Sequence, residues 1–385
     1  MFNKNINNLF LTTLIIVTLI IFSKNFYNEI LLKFLNNPNF FKVFFSDFYL
    51  IFAGADILNN GNNPYKEWIN IHNSPFFNPP IVFNLFKFIA NYEYLIIVKF
   101  WFFILILSFI FIPLILFKIF KINYKLSFIF LICFGGISLS VFLTGNLSIL
   151  LTLLFALSLF FLNKKKDHIF YIILSFLSII KFPYLIFFGI PFLLKDLNKK
   201  LLLNTILYLS IIILIYLISF YLNNELFISW INSIEYSKNI GDQGDFGRGL
   251  FRILDSYIFS NNYYKYTFYF AISGFIFIFL VFLSKKSKIL NDKKNKNLLL
   301  AFSIISLSML LPRLKSYDVL ITIPCLFFLI DFIKFKTSEK INSFIKFLLF
   351  LFLFCITSPY APISLCFIIF IIFASDLKFN FIEKK

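Results

Sequence analysis

The chain has 385 residues, 60% of them hydrophobic and only 14% charged, so it carries more apolar surface than a water-soluble core of that size can hide. A net charge of +18 would suggest nucleic acid in a soluble protein, but here Lys residues punctuate long apolar runs, which is the pattern of membrane topology and excludes a nucleic-acid partner. The four Cys lie inside apolar runs without CxxC spacing, which excludes a disulfide framework or a zinc ribbon.

In chain order, the first apolar run covers residues 9–35 and is expected to be an uncleaved membrane helix, because Ser23-Lys24-Asn25 offers no small-residue cleavage pattern. Further runs of helical length occupy 94–117, 126–143, 147–162, 201–222, 266–283, 298–311, 319–333, 344–356 and 363–373. Two stretches fit less simply: 79–90, and 169–194, which is interrupted at Lys181-Phe182-Pro183. Each is expected to be a short helix pair or a re-entrant hairpin, since proline breaks a helix and irregular backbone at membrane depth must be buried in protein. The expectation is an all-α polytopic membrane protein of about 10–13 membrane helices, some short or re-entrant, forming one transmembrane domain over residues 1–385.

The Lys excess decides which connections share a side. Lys118/Lys121/Lys125, Lys164/Lys165/Lys166, Lys195/Lys199/Lys200, the loop from Lys285 to Lys296, Lys334/Lys336/Lys340 and Lys378/Lys384/Lys385 are all expected in the cytoplasm, together with the N-terminus. For that parity to hold, 169–194 must enter and return, with Lys181 near the opposite face. The connections 36–80, 144–146, 223–262, 312–318 and 357–362 then lie outside, the first and third being the large outer loops.

The outer set has its own chemistry. It holds Asp47, Asp56, Glu67, Glu225, Glu235, Asp242, Asp245, Asp255 and Asp318, and also the only Arg residues of the chain, Arg248, Arg252 and Arg313. The fixed fork of arginine suits phosphate, although these side chains could equally pair with neighbouring acids. Arg248 and Arg252 are four apart and would share a helix face. In the first outer loop Tyr49, Phe52, Ala53 and Asp56 recur at i, i+3, i+4 and i+7, which predicts a short helix on the membrane surface ended by Gly61. Asp47 stands just before it, at the mouth of the bundle, where partial burial would suit a general base. An N-cap supplied by Ser46 or Asp47 is the competing assignment. Lys87 and Lys99, within apolar stretches, are expected to snorkel, and His168 to be solvated.

Taken together, Asp47-Phe48 before a small-residue helix, then Gly61-Asn62-Asn63-Pro64-Tyr65, then Asn78-Pro79-Pro80, resemble glycosyltransferase family 87. Gly145-Asn146-Leu147-Ser148 is similar to that family's Gly-Gln-x-Asn helix opening, with Asn146 in the Gln place and Ser148 in the Asn place. Lys181-x-Pro183 matches a Lys shortly before a Pro. The segment Leu311-Pro312-Arg313-Leu314-Lys315-Ser316-Tyr317 is similar to a late Pro-x-x-x-His-Tyr segment, with Ser316 where His is common.

The resemblance implies the GT-C membrane fold and transfer of a hexose, mannose above all, from a polyprenyl-phosphate donor to a lipid or glycan acceptor at the outer face of a bacterial inner membrane. It implies Asp47 as the catalytic base of an inverting reaction that needs no metal cofactor. Lys181, Arg248, Arg252 and Arg313 would hold the donor phosphate, and Tyr65, His72, Asn146, Ser148 and Tyr317 would contact substrate. A transporter or flippase of a lipid-linked glycan is the alternative of another class. Transporters commonly carry internal repeats and mid-membrane charges, whereas the polar residues here gather at one face.

Overall fold

The computed structural model describes residues 45–72, 75–120, 141–195, 197–240, 262–286 and 296–311. The runs 9–35, 319–333, 344–356 and 363–373 and most of 126–143 lie outside the described residues, as do Arg248, Arg252, Arg313 and Tyr317. Among the described residues every regular element is helical. They are α1 (Ser46–Asn59), α2 (Pro64–His72), α3 (Pro80–Phe86) continued by a 3-10 turn (Lys87–Asn91), α4 (Tyr94–Phe120), α5 (Ser148–Asn163), α6 (Asp167–Ile180), a 3-10 segment (Phe182–Gly189), α7 (Ile190–Leu194), α8 (Lys199–Leu222), α9 (Asn224–Ile240), α10 (Asn262–Lys286) and α11 (Lys296–Met309).

Three of these are long and apolar enough to cross a membrane: α4, α8 and the Thr267–Lys286 part of α10. At 1.5 Å per residue the 27 residues of α4 rise about 40 Å, ample for a hydrocarbon core of about 30 Å. The helices α5 and α6, with 16 and 14 residues, rise only about 24 and 21 Å.

The interrupted stretch is a hairpin. Pro183 has no N–H, and its ring would strike the carbonyl of residue 179, so α6 stops at Ile180 and Lys181 takes an extended conformation (φ −139°, ψ 96°). The carbonyl that loses its helical donor, Ile179 O, instead accepts the Tyr216 hydroxyl at 2.9 Å. The chain then returns through the 3-10 segment and α7, and the two ends of the hairpin meet: Lys195 Nζ pairs with Asp167 Oδ2 at 2.5 Å. Lys285 donates to Lys195 O, and Lys296 donates to Asn163 Oδ1 at 3.3 Å. Among the described residues, Lys195, Lys285 and Lys296 therefore gather at the end of the hairpin where α6 begins, and Lys181 stands at the end where α6 stops.

Helix α1 departs from expectation. Helix α1 buries Phe48, Ile51, Gly54 and Ala55, while Tyr49, Phe52, Ala53 and Asp56 are only half-buried. Phe48 and Ile51 belong to the main core; Tyr49, Leu50, Ala53, Ile57 and Leu58 pack on a second, smaller core of Tyr65, Trp68, Phe76, Phe83 and Leu226. Apolar residues surround the helix, so it is a partition between two cores instead of a one-faced surface helix. Its end is as expected: Gly61 has φ +81°, with Gly61 N–H to Leu58 O at 3.2 Å and Asn62 N–H to Ile57 O at 3.1 Å, a Schellman cap.

Helix α1 meets α3 through Gly54, where a Cβ would stand 2.3 Å from Cε1 of the fully buried Phe83. Gly54→Ala adds helix propensity of about 1 kcal/mol, but overpacking at so close a contact costs about 1–3 kcal/mol. We expect net destabilisation, read as a lowered Tm of the detergent-solubilised chain.

The segment 223–262, expected only as a loop, contains the 17-residue helix α9. It closes the small core with Leu226 and is tied to the first outer segment by Asn63 Nδ2 to Ser229 Oγ (2.9 Å), Ser233 Oγ to Phe76 O (3.0 Å) and Lys66 to Glu225 (2.7 Å). Helices α1, α2 and α9 thus form one structure. The Lys66 ammonium holds the exposed Glu225 carboxyl below its usual range.

Candidate functional site

Three separate parts of the chain meet beside the start of α1. The helix that ends near residue 143 is closed by Gly145, at φ +68°, with Gly145 N–H to Phe142 O and Asn146 N–H to Val141 O, both 3.1 Å. This left-handed turn leads directly into α5 and exposes two carbonyls. Thr144 O accepts the backbone N–H of Asp47 at 2.9 Å, and Gly145 O accepts the Trp101 indole N–H at 2.8 Å. The Trp101 ring stacks on Phe48 at 4.6 Å and 8°, so the residue after Asp47 is held by the same side chain that holds the turn.

Within this frame the polar groups are linked in sequence, partly through the backbone. Asn146 Oδ1 accepts the Ser148 N–H at 2.8 Å, which fixes the amide so that Nδ2 donates to Asp47 Oδ2 at 2.7 Å. The buried Ser148 hydroxyl accepts from Lys181 Nζ at 3.2 Å. A carboxylate and an ammonium, both half-buried, are thereby placed on either side of Asn146 and Ser148, which are joined through the Ser148 backbone N–H. Such a site can accept a proton at one end and counter negative charge at the other.

Asp47 is not a helix cap. Phe45 occupies the N-cap position and no side chain bonds the first turn, so Ser46 and Asp47 are its first helical residues and the carboxylate is directed to Asn146. Of the other residues singled out in the sequence, Asn146, Ser148 and Lys181 join Asp47. Tyr65 belongs to the smaller core, and His72 stands at its edge. Tyr65 is buried, its hydroxyl donates to Asn78 O at 2.6 Å, and burial pushes the phenol well above its usual range. Asn63 Oδ1 accepts the Tyr65 N–H at 3.1 Å, so the Asn63, Tyr65 and Asn78 motifs interlock as packing elements. His72 is exposed and lies over Trp68, with ring centroids 3.9 Å apart. His168 is exposed at the Lys-rich end, within 3.2 Å of the Tyr208 hydroxyl, and Lys87 and Lys99 are exposed. Sequence reasoning missed Trp101 and Thr144. Trp101 sits inside an unbroken apolar run, where nothing distinguishes it beyond being one of three Trp.

No family model, curated protein or solved structure matches this chain.

Proposed function

We propose that the protein is a membrane glycosyltransferase of the GT-C type, moving a hexose, mannose in the first instance, from a polyprenyl-phosphate donor to a lipid or glycan acceptor. One observation carries this assignment: Asp47, Asn146, Ser148 and Lys181, from motifs as much as 134 positions apart (181 − 47), form a single hydrogen-bonded run. The run stands at the end of the bundle away from the Lys-rich connections, where a lipid phosphate on the outer leaflet would meet it.

In the proposed reaction the acceptor hydroxyl oxygen attacks the anomeric carbon as its proton passes to Asp47. The bond from that carbon to the phosphate oxygen breaks, and its electron pair leaves with the polyprenyl phosphate, inverting the anomeric centre. Asn146 orients the carboxylate, and Lys181 counters the charge that develops on the departing phosphate, with Arg248, Arg252 and Arg313 as further phosphate partners. The reaction takes no metal.

The test is transfer of labelled sugar from polyprenyl-phosphate mannose in vesicles carrying the purified chain. Wild type is expected to make a new glycosidic bond, and Lys181→Met to make it on the order of 10²–10³-fold more slowly. Label that crosses the bilayer with no new glycosidic bond overturns the transferase in favour of a transporter.

A further inference from the structure

The Lys-rich end of the bundle holds a charge imbalance that the proposed transfer does not use. Helix α5 ends in a Schellman turn, with Lys165 N–H to Leu162 O at 3.0 Å and Lys166 N–H to Phe161 O at 2.9 Å. The left-handed position of that turn, at φ 61°, is occupied by Lys165, the one non-glycine residue with positive φ among the described residues. A lysine there gives up backbone stability that glycine would not. What it contributes is charge at a place where charge already accumulates. Lys195 comes in from the end of the hairpin, Lys285 from the end of α10 and Lys296 from the start of α11. Lys165 stands in the turn between Asn163, which accepts from Lys296, and Asp167, which pairs with Lys195.

Among the described residues, Lys165, Lys195, Lys285 and Lys296 outnumber the one carboxylate bonded at this turn, Asp167, and that excess of positive charge suits an anion. The short span of the two helices selects which anion. Helices α5 and α6 rise only about 24 and 21 Å, short of the roughly 30 Å hydrocarbon layer, so this pair does not reach both faces of such a layer. A lipid phosphate drawn toward the turn would neutralise the cluster and cover the mismatch together. We propose that the turn joining α5 and α6, with Lys165, Lys195, Lys285 and Lys296, binds the phosphate headgroup of an anionic membrane lipid. This site is independent of the transferase assignment.

The experiment measures lipid retained by the purified full-length chain in non-ionic detergent, by native mass spectrometry, with phosphatidylglycerol and phosphatidylcholine of the same acyl chains as probes. Wild type is expected to retain phosphatidylglycerol in preference. Lys165→Gly should weaken that retention about fivefold, and Lys165→Gly with Lys296→Gln about 25-fold. Because glycine fits the left-handed turn, Lys165→Gly should keep or raise the Tm, which separates lost binding from lost fold. Equal retention of the two lipids, or undiminished phosphatidylglycerol retention by a folded Lys165→Gly chain, overturns the proposal. So does displacement of the lipid by inorganic phosphate mole for mole, which would make this a site for a soluble anion.

Discussion

Asp47→Asn is expected to lower sugar transfer by roughly 10²–10⁴-fold, the range a positioned general base contributes, with little change in Tm. The substitution keeps the size of the side chain, and its amide oxygen can still accept from Asn146 Nδ2, now at 2.7 Å from the carboxylate. The Asp47 backbone N–H to Thr144 O is untouched. What the amide loses is the capacity to take a proton from the acceptor hydroxyl. Donor binding should survive, since Lys181 reaches the run through Ser148 and not through Asp47. The checks are single-turnover transfer and, separately, donor affinity. Full transfer by Asp47→Asn at wild-type yield would rule out Asp47 as the base.

Gly145→Ala should damage both fold and activity. A Cβ at this position would lie 2.5 Å from Phe45 Cδ1 and 3.2 Å from Phe48 Cβ, and the φ of +68° is one that alanine adopts poorly. Left-handed strain costs about 1–2 kcal/mol and forced repacking about 1–3 kcal/mol, so the sum is about 2–5 kcal/mol. The relaxation that relieves the clash must push Phe45 and Phe48 away from the turn, and Asp47 lies between them in sequence. Its bonds to Thr144 O and Asn146 are then the ones to lengthen. Gly145→Asn provides the control: asparagine tolerates the left-handed conformation but has the same Cβ. It should recover the strain and not the clash, giving a Tm between those of alanine and wild type with transfer still impaired. Equal Tm for all three chains would mean that the turn repacks freely.

Much of the membrane architecture was legible in the amino-acid sequence because lipid imposes a blunt rule. Apolar runs at 94–117, 147–162, 201–222, 266–283 and 298–311 correspond to α4, α5, α8, α10 and α11. Lys181-Phe182-Pro183 marks the break because proline removes a donor whatever its surroundings. The grouping of Lys195, Lys285 and Lys296 could likewise be read from charge alone. The helix α9 could not, because its sequence mixes polar and apolar residues and its order comes from tertiary bonds to Phe76, Asn63 and Lys66. The two-sided burial of α1 was hidden for a related reason: periodicity reports one face, and the second core is assembled from residues far along the chain. Within the site, Asp47, Asn146, Ser148 and Lys181 could be named as polar residues in the right motifs. Their order of connection could not, since it depends on the amide orientation that Ser148 N–H imposes. Trp101 was beyond reach because its indole N–H bonds a backbone carbonyl, which leaves no pattern in side-chain chemistry.

Because α1 belongs to two cores, it is also a lever. Gly54, which faces Phe83 of α3, is seven residues from Asp47, about 10 Å along the axis. A tilt of about 6° about that contact would move the carboxylate by about 1 Å, a displacement that can change a reaction rate on the order of 10²-fold. A molecule that presses on the Trp68 and Phe76 side of the helix would therefore be felt at Asp47 without touching it. On the proposed function, occupancy of the outer lobe and readiness of the base become one mechanical variable, with Gly54 as its fulcrum.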